Sequence, residues 1–573
     1  MKRTVITFLC CIALSTAFAQ ETLWFPIVPD QPTPWFREVN PDDAHRYYPR
    51  PSMKRDQWLS LNGKWQFTIT DKYTVRPAKY DKQILVPFPV ESGLSGVKAT
   101  VNEQYVLWYK RKFFLPESWS QRFILLNIDA SDWETKVFVN GQEVGLHRGG
   151  YNRFQFDITQ YLNISGAQEI EIAVFDPTEN GYQPHGGQSV LSALQGQGAA
   201  SGIWQSVWLE PVLWESFKEV RFEADTSGEV TVYQDFFNMP QRDSIQYVVR
   251  SGKKTVVDTM LICSDKATIL IDDPEWWSPE SPHLYRAELS IIRDGLVLEK
   301  IDTYFGIRHL SVVKNESGRK IFYLNDEPYF INGVIDKGYW PDGGYLAPTK
   351  EGWVHDINEA KKMGYNAIKK SQKIEPEMWY YLCDSLGLMV VQEVPSKPIP
   401  EDEKEAFKTL AQYKIELKKI VEQYQKHVCI YQWNPFPENS EQETIMEVQE
   451  VLAEANNNGL IGISSQNAGH EDIPVASYNY IGGSIQPPGT RVQVWTAGGY
   501  GSIFLVVPME KNEYKPDKKE LKSYQDRQED LQENVKALNR KGLAAAFYDQ
   551  LIDGKHEKSG LITFDRRFNK VLD

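Results

Sequence analysis

Apolar and polar residues alternate with a period of two over much of the first half of the chain, as is typical of β-strands with one buried face. Residues 137–139 alternate in this way and lead into Asn140-Gly141, the strongest short turn signal, before the chain returns through Glu143-Val144. Similar runs, separated by Gly, Pro and Asn, continue to about residue 212 and predict a β-sandwich. A second β-rich stretch, ending near residue 312, has the length of an immunoglobulin-like module.

After residue 313 the pattern changes, and segments with the helical period alternate with short apolar strands. Residues 406–427 place apolar side chains on one face at spacings of three and four, which predicts an amphipathic helix. These side chains are Phe407, Leu410, Leu417, Ile420, Val421 and Tyr424. A second helix of this kind, with Leu521, Tyr524, Leu531, Val535 and Leu538 on its apolar face, is expected to end before Gly542.

Eight candidate strands lie in this second half of the chain. They are residues 329–334, 366–368, 388–392, 428–434, 460–465, 475–480, 492–496 and 542–547. Eight βα units in about 260 residues predict a TIM barrel, in which functional side chains follow the C-terminal ends of the strands. The predicted fold is therefore a multidomain β plus α/β protein, with a β-sandwich at residues 20–212, an immunoglobulin-like β-sandwich at 213–312 and a (β/α)8 barrel at 313–573.

The composition of the 573-residue chain is that of an ordinary globular protein. Hydrophobic residues make up 41% and charged residues 24%, which argues against extensive disorder. The formal net charge of -14 disfavours nucleic acid and anionic membrane surfaces as partners, because both attract clustered Lys and Arg. The aromatic content of 13%, with 17 Trp, offers stacking surfaces for sugars, although such rings more often fill sandwich cores.

The first 19 residues have the pattern of a secretory signal peptide. Lys2-Arg3 precede an apolar run over residues 5–14, and Ala17-Phe18-Ala19 supply a small-residue cleavage site. The apolar run is shorter than the roughly 20 residues that a bilayer requires, so we expect no membrane span. The protein is therefore predicted to be exported, either to a periplasm or to the medium. Only three cysteines follow this segment, too few for a disulfide framework.

Short motifs spread over all three predicted domains are shared with one known family. They include Leu61-Asn62-Gly63-Lys64-Trp65, Trp108-Tyr109-Lys110-Arg111, Ser201-Gly202-Ile203-Trp204, Trp277-Ser278-Pro279-Glu280, Tyr304-Phe305-Gly306-Ile307-Arg308, Gly338-Tyr339-Trp340-Pro341-Asp342 and Thr563-Phe564-Asp565-Arg566. On these motifs the chain resembles glycoside hydrolase family 2, in its β-galactosidase and β-glucuronidase-like branch. The resemblance implies that the first sandwich is a jelly-roll sugar-binding domain and that the protein acts on β-linked glycans.

The resemblance also implies a site built from two carboxylates. In a retaining glycosidase one carboxylic acid protonates the leaving oxygen, and a second carboxylate about 5 to 5.5 Å away attacks the anomeric carbon. The family's acid/base is the Glu of an Asn-Glu pair after the fourth barrel strand, and Glu438 matches it. The preceding Asn is replaced by Pro437, which has no polar side chain to bond a sugar hydroxyl. The alternative interpretation of Glu438 is an ordinary carboxylate on a surface loop.

The second carboxylate is missing from the position where the family has it. A Glu shortly before a Gly-Gly pair is replaced by Thr496, and residues 493–501 contain no carboxylate. A threonine hydroxyl is a poor nucleophile unless a base activates it. Lys369 replaces an Arg of the closest-looking branch, and it cannot form the planar two-pronged clamp of a guanidinium. A His that relatives commonly have before the tyrosine of the sixth strand is also replaced, near Ser477-Tyr478.

Eight further residues are expected to line the pocket and bind substrate. They are Asp336, Trp340, Asp342, Lys369, Gln392, Glu393, Trp433 and Tyr478. Carboxylates accept bonds from sugar hydroxyls and indoles stack on sugar faces, so the expected partner is the end of an oligosaccharide or polysaccharide. For Trp340 and Trp433 a place in the core is equally open. No metal-ligand spacing and no Gly-rich phosphate loop is present, so neither a metal nor a cofactor is expected.

Two hypotheses follow from this site. The first is a β-glycosidase of carbohydrate catabolism with an altered mechanism. An inverting variant would need a base carboxylate about 6.5 to 9.5 Å from Glu438, with Glu393 and Asp342 as candidates. The second hypothesis is a carbohydrate-binding protein without catalysis on the same scaffold. A purely structural role has no positive signal in the sequence, and the sequence defines no oligomeric state.

Overall fold

The structure is a computed structural model that describes residues 23–190, 198–438, 440–455, 459–464, 472–488, 492–511 and 513–573. The predicted signal peptide, residues 1–19, lies outside the described residues. Short 3-10 helices are formed by Pro34–Glu38, Pro51–Met53, Glu117–Trp119, Thr159–Tyr161 and Thr178–Asn180. None of the described helices is both long enough and apolar enough to cross a bilayer.

The first domain is a two-sheet β-sandwich. Its described strands are β1 (Leu59–Ser60), β2 (Gly63–Asp71), β3 (Lys82–Val86), β4 (Tyr105–Phe113), β5 (Phe123–Ile128), β6 (Ser131–Asp132), β7 (Glu134–Val139), β8 (Gln142–Arg148), β9 (Phe154–Asp157), β10 (Gln168–Phe175), β11 (Gly202–Ile203) and β12 (Val207–Val212). The main sheets have the orders β3-β2-β4-β10-β7-β8 and β1-β12-β5-β9. The predicted hairpin is confirmed between β7 and β8. Its turn residues Asn140 and Gly141 have φ of 47° and 84°, a backbone conformation that these two residue types tolerate.

The second domain is a smaller sandwich of the predicted immunoglobulin-like kind. Its described strands are β13 (Phe217–Ala224), β14 (Glu229–Phe236), β15 (Ser244–Ser251), β16 (Lys254–Ile262), β17 (Lys266–Leu270), β18 (Tyr285–Arg293) and β19 (Leu296–Phe305). They form sheets of order β13-β14-β17 and β16-β15-β18-β19. Val232, Ile245, Leu289 and Ile301 are fully buried in a common core, because alternate residues of these strands face inward.

The third domain is a closed barrel of eight parallel strands, as predicted. The barrel strands are β23 (Ile331–Asp336), β24 (Ala367–Lys370), β25 (Met389–Glu393), β26 (Ile430–Asn434), β27 (Leu460–Ser464), β28 (Val475–Asn479), β29 (Val494–Tyr500) and β32 (Ala545–Tyr548). Two small sheets accompany them, formed by β20 (Leu310–Lys314), β21 (Lys320–Leu324) and β22 (Glu327–Pro328), and by β30 (Met509–Glu510) and β31 (Glu513–Tyr514). Pairing of β32 with β23 closes the ring. All eight predicted strands are confirmed, with ends displaced by a few residues.

The described helices of the barrel lie around this ring. They are α1 (Lys350–Lys362), α2 (Glu377–Leu386), α3 (Glu403–Tyr424), α4 (Gln442–Glu454) and α5 (Lys518–Asn539).

The prediction for α3 is correct in its second half, where Leu417, Ile420 and Val421 are buried, and wrong at Phe407, which is 75% exposed. Ahead of Leu417 the helix buries a polar row formed by Thr409, Gln412 and Glu416. The Glu416 carboxylate accepts a hydrogen bond at 3.2 Å from the backbone N–H of Gly150 in the first domain. Contact with the jelly roll therefore helps to set the buried face of this part of α3.

Buried ion pairs join the three domains at Glu377, the first residue of α2. Arg153 of the jelly roll donates to Glu377 Oε2 and to Asp129 Oδ1, both at 2.7 Å. The Nζ of Lys426, just after α3, lies 2.9 Å from Glu219 Oε1 on β13 and 3.8 Å from Glu377 Oε2. Jelly roll, immunoglobulin-like sandwich and barrel therefore share one network of opposite charges.

The attraction between opposite charges in this network offsets the cost of removing each charged group from water. Burial by itself would raise the pKa of Glu377, but Lys426 and Arg153 hold that pKa far below its usual range. Its other oxygen, Oε1, accepts a bond at 3.1 Å from the backbone N–H of Ser52 in the N-terminal segment. A buried carboxylate with this many donors is stable only while every partner is in place.

Replacing Glu377 by Gln tests this junction, because it keeps the shape of the side chain and removes its charge. We expect a loss of about 3 kcal/mol or more, since Arg153 and Lys426 stay buried and each loses one of its two counter-charges. The measurement is the shift of the urea unfolding midpoint at pH 7. Because the pKa of Glu377 is lowered by folding, its stabilising contribution is present above the unfolded value, about 4.3, and is lost as the pH falls below it.

The matched control is Glu454→Gln, which removes the same charge from an exposed ion pair with Lys418. Its expected effect is below about 1 kcal/mol, because exposed pairs are weak. Equal shifts for the two variants would contradict the role given to Glu377.

Candidate functional site

A cavity of about 310 Å³ opens at the C-terminal face of the barrel. Its lining residues are His185, Gly186, Gly187, Lys337, Tyr339, Tyr345, Ser371, Gln372, Ser396, Pro398 and Glu438. The barrel residues among them follow the first four barrel strands, where TIM-barrel sites are expected. Glu438 is the one carboxylate in this set. The volume is at the lower end of the range of about 300 to 1,000 Å³ that ligand pockets span.

The jelly roll contributes one wall of this cavity through a loop that contacts the barrel by its backbone. The N–H of Gly186 donates to the carbonyl of Ser396, which follows β25, at 3.0 Å. Gly186 has a φ of 57°, and a Cβ at this position would overlap the backbone carbonyl of Gln372. Glycine is therefore required for the loop to approach the barrel this closely.

Three buried carboxyl groups anchor this loop within the jelly roll. Asp132 accepts from the Gln188 side chain at 2.8 Å, Asp176 accepts from the Ser201 hydroxyl at 2.6 Å, and Glu91 accepts from the Ser201 backbone N–H at 3.0 Å. Burial raises the pKa of all three, that of Glu91 to about 8, and the neighbouring Asp176 raises the pKa of Asp132 further. No described Lys or Arg forms an ion pair with them. Gln188 and Ser201 are therefore held by carboxyl groups whose charged form is disfavoured by burial.

An ion pair crosses the barrel mouth beside the cavity. The Nζ of Lys369 on β24 lies 2.6 Å from Glu393 Oε1 and donates to the carbonyl of Gly498 on β29 at 3.0 Å. Ser371, which lines the cavity, donates to Glu393 Oε2 at 2.8 Å. Glu393 therefore lies one hydrogen bond behind the cavity wall, with a lysine as its counter-charge.

Thr496 lies on β29, facing the neighbouring strand. Its side chain is 3% exposed, and its hydroxyl donates to the carbonyl of Ala476 on β28 at 3.0 Å. No described carboxylate or imidazole bonds this hydroxyl. A hydroxyl used in this way has no base to activate it, so Thr496 does not replace the missing carboxylate chemically.

Asp336 and Gln392 lie in a fully buried polar layer behind the loops that follow β23 and β24. Asp336 pairs with Lys370 at 2.5 Å, and Lys370 and Lys373 share one oxygen of Glu375 at 2.9 and 2.7 Å. Gln392 donates to the carbonyl of Lys373 at 2.8 Å. Two cations and two carboxylates thus balance, although burial still lowers the pKa of Lys373 to about 8. These residues hold the loops in place without lining the cavity.

Three residues that the sequence assigns to the pocket lie elsewhere. Asp342 is fully buried and accepts hydrogen bonds from the backbone N–H and the hydroxyl of Thr33, so it fixes the N-terminal segment. The ring of Trp340 is covered by the guanidinium of Arg566, 3.8 Å from its centroid. Trp433 is 1% exposed within the barrel core. The N-terminal segment covers this side of the barrel, which a strand-end rule does not anticipate. Asp342 is thereby removed as a candidate base.

Glu438 and Tyr478 remain on the solvent side. Glu438 is exposed in the loop after β26, and its backbone carbonyl accepts from Ile399 N at 3.3 Å. Tyr478, near the end of β28, is half-buried, with its ring 6.3 Å from that of Tyr480. Of the predicted site residues, Glu438 alone lines the cavity directly. Lys369 and Glu393 are adjacent to it through Ser371.

Several lining residues were missed from the sequence. Lys337, Tyr339 and Tyr345 follow the first barrel strand and Gln372 follows the second, so strict use of the strand-end rule would have found them. His185 belongs to the jelly roll and has no such signal. Its position depends on how two domains pack.

A barrel with a cavity at its C-terminal face, walled by a jelly-roll loop and joined to a second sandwich, is the architecture that the sequence motifs imply. Family comparisons match the "Glycosyl hydrolases family 2, sugar binding domain" over residues 36–211, "Glycosyl hydrolases family 2" over 205–308 and "Glycosyl hydrolases family 2, TIM barrel domain" over 315–458. The chain belongs to glycoside hydrolase family 2. The barrel match includes Glu438 and ends before Thr496, so the likeness is strongest in the half of the barrel that holds the acid/base position.

Curated relatives are similar at low identity. A β-galactosidase of Thermoanaerobacter pseudethanolicus is 26% identical over 342 residues, covering 58% of this chain and 44% of the relative. A putative β-glucuronidase of Formosa agariphila is 27% identical over 403 residues, covering 65% of this chain and 37% of the relative. The matches thus span about two fifths of the length of these relatives.

Solved structures share the fold over nearly the whole chain. A β-D-glucuronidase of Dictyoglomus thermophilum has a TM-score of 0.72 at 18% identity, covering 91% of this chain and 97% of that one. A β-glucuronidase of Ruminococcus gnavus in complex with D-glucaro 1,5-lactone has a TM-score of 0.73 at 16% identity, covering 92% and 98%. At these identities the likeness establishes the three-domain fold alone.

The raised pKa of Glu91 predicts an unusual pH dependence for the folding stability of the Glu91→Gln variant. Because folding raises the pKa of Glu91 from 4.5 to about 8, the native state holds its proton more tightly than the unfolded state. The neutral carboxyl thus stabilises the fold fully below about pH 4.5, and this contribution is lost as the pH rises toward 8. Glutamine imitates the neutral acid, so the variant should exceed the native chain in stability by about 4 kcal/mol near pH 8 and match it near pH 4.5.

The measurement is urea unfolding of both chains at several pH values. Glu117→Gln, at an exposed position of the same domain, serves as the control and should change nothing at any pH. A Glu91→Gln variant that is less stable than the native chain at pH 8 would contradict the assigned state of this carboxyl.

Proposed function

We propose that this protein is a β-glycosidase of the family 2 type that acts on the end of a β-linked glycan, with Glu438 as its proton donor. The observation behind the proposal is that Glu438 lies at the family's acid/base position and is the one carboxylate among the residues that line the cavity. Two curated relatives, a β-galactosidase and a putative β-glucuronidase, support a β-linked sugar as the substrate class.

The second chemical role falls to Glu393 in this proposal. Thr496 bonds a backbone carbonyl and has no activating base, and Asp342 bonds Thr33 away from the cavity. Glu393 lies behind Ser371 at the cavity wall and is the remaining candidate of the two carboxylates that the inverting hypothesis names. In this mechanism Glu438 protonates the leaving oxygen while Glu393 takes a proton from a water that attacks the anomeric carbon, and the product has inverted configuration.

The predicted signal peptide supports a substrate outside the cytoplasm. A chain exported to a periplasm or to the medium meets glycans before they are taken up. The proposed role is therefore in the catabolism of external β-linked glycans. Fractionation of cells that express the full chain, followed by N-terminal sequencing of the product, tests both the export and the cleavage after residue 19.

The second candidate function is carbohydrate binding without turnover. It is favoured by the ion pair at the barrel mouth. The Lys369 ammonium already pairs with the Glu393 carboxylate and donates to the carbonyl of Gly498. A base that is held by a partly buried lysine is less available to water. Under this alternative the cavity recognises a glycan end and releases it unchanged.

A panel of β-linked oligosaccharides and aryl glycosides separates the two functions. Sugar release measured by chromatography, together with calorimetric titration of the same compounds, distinguishes turnover from binding. Release of sugar supports the glycosidase, and saturable binding without release supports the second candidate. If the protein neither binds nor cleaves any member of the panel, both proposals are wrong.

For an active substrate, Glu438→Gln should lower kcat by about 100-fold to 10,000-fold, because glutamine keeps the shape and cannot donate a proton. The matched control is Glu441→Gln, three residues further along the chain and exposed, which should leave kcat unchanged.

Glu393→Gln should lower kcat in the same range, and proton NMR of the first product should show the inverted anomer. A retained anomer would overturn the role of Glu393, and full activity in Glu438→Gln would overturn that of Glu438.

A further inference from the structure

A second and larger cavity, of about 670 Å³, lies between the immunoglobulin-like sheet, the N-terminal segment and α2. It shares no lining residue with the cavity at the barrel mouth. Its volume is within the range of about 300 to 1,000 Å³ typical of ligand pockets. Neither the catalytic proposal nor the domain packing described above gives it a function.

Two arginines on one face of the sheet line this cavity. Arg250 on β15 and Arg286 on β18 are directly opposite each other in the antiparallel register. Neither forms an ion pair with a described carboxylate. Like charges directly opposite across two strands destabilise their pairing. The folded protein therefore keeps a repulsive pair that a bound anion would neutralise.

The other charged groups of the cavity leave it positive. Lys54 adds a third cation and has no ion-pair partner among the described residues. The carboxylates are Glu288, which pairs with Lys300 at 3.3 Å, and Asp302, next to Lys54 through a backbone bridge. The cavity thus combines three cations with two carboxylates, one of them already neutralised. This local excess stands out in a chain with a formal net charge of -14.

Aromatic rings complete the wall beside the arginines. Tyr304 on β19 is the direct cross-strand neighbour of Arg286 and packs edge-on against Tyr381 of α2, with centroids 4.9 Å apart. The Tyr304 hydroxyl donates to Asp384 at 2.8 Å, which fixes its ring. Rings of this kind offer apolar faces to sugars and to other flat ligands. A simple inorganic anion would leave them unused.

We propose that this second cavity binds an acidic sugar unit, with Arg250 and Arg286 on its carboxylate or sulfate and the tyrosines along its ring. Guanidinium groups bond carboxylates and sulfates in a two-pronged geometry, so a facing pair suits one anionic group. The site is separate from the barrel mouth, and its occupation requires no catalysis. It would hold an anionic part of a glycan on the surface of the protein.

The test is calorimetric titration with cellobiouronic acid and with cellobiose, which differ by the carboxylate alone. The titrations use the Glu438→Gln variant, so that hydrolysis cannot consume the ligand. We expect saturable binding of the acidic disaccharide and at least tenfold weaker binding of cellobiose. Adding both Arg250→Gln and Arg286→Gln to this variant should weaken the binding of the acidic disaccharide at least tenfold. The matched control, Arg242→Gln with Lys266→Gln, removes the same charge from the same domain outside the cavity and should bind normally.

The double arginine variant should also melt no lower than its parent, because the repulsion between the arginines is removed. If it fails to fold, the single variant Arg286→Gln replaces it in the same titration. Sodium sulfate is titrated separately as a bare anion. The proposal is wrong if the acidic disaccharide does not bind, if cellobiose or sulfate binds as tightly, or if the arginine variants bind it unchanged. Binding that persists in the double arginine variant belongs to the barrel mouth, which shares no lining residue with this cavity, and is subtracted before these results are compared. The test therefore does not depend on whether the barrel site binds or cleaves glycans.

Discussion

The jelly-roll wall of the candidate site depends on the buried charge network around Glu377, which fixes the placement of the domains. Arg153 connects this carboxylate to the jelly roll, and Lys426 connects it to the immunoglobulin-like domain through Glu219. The cavity at the barrel mouth has one wall from the jelly roll, so it exists only while the two domains keep their relative placement. Hydrophobic contact alone is non-directional, whereas charged hydrogen bonds fix an orientation. Removing one partner of such a network is costly, and domain placement is correspondingly well defined.

Much of the fold could be predicted from periodicity, because each barrel strand is a short apolar run between turn residues and helices. The exception at Phe407 shows where this reasoning ends. A helical wheel identifies an apolar stripe, yet α3 also buries a polar row that contacts the backbone of the jelly roll through Glu416. Tertiary contact then decides which face is buried, and Phe407 is left in solvent. Local pattern contains no information about a partner from another domain.

The site was predictable to a smaller extent. Glu438 could be placed because it follows a barrel strand and matches a family motif, and Lys369 and Glu393 follow from the same rule. Trp340 and Asp342 obey that rule as well, but Arg566 covers the ring of Trp340 and Thr33 of the N-terminal segment bonds Asp342. A strand-end rule says which residues lie at one end of the barrel and does not say which of them remain open. Open positions depend on long-range packing, and so does the jelly-roll wall.

The ion pair at the barrel mouth limits the chemistry open to a site that has no carboxylate at position 496. A cation that is mostly withdrawn from water requires a counter-charge. Where the resemblance implies a Glu, this chain has Thr496, and the Lys369 ammonium bonds Glu393 and the carbonyl of Gly498. Glu393 therefore has two roles, as the structural partner of Lys369 and as the remaining candidate base. These roles compete, since any proton that Glu393 takes from water weakens its bond to Lys369. In the proposed mechanism, protonation of Glu393 therefore leaves the Lys369 ammonium with the Gly498 carbonyl as its remaining partner.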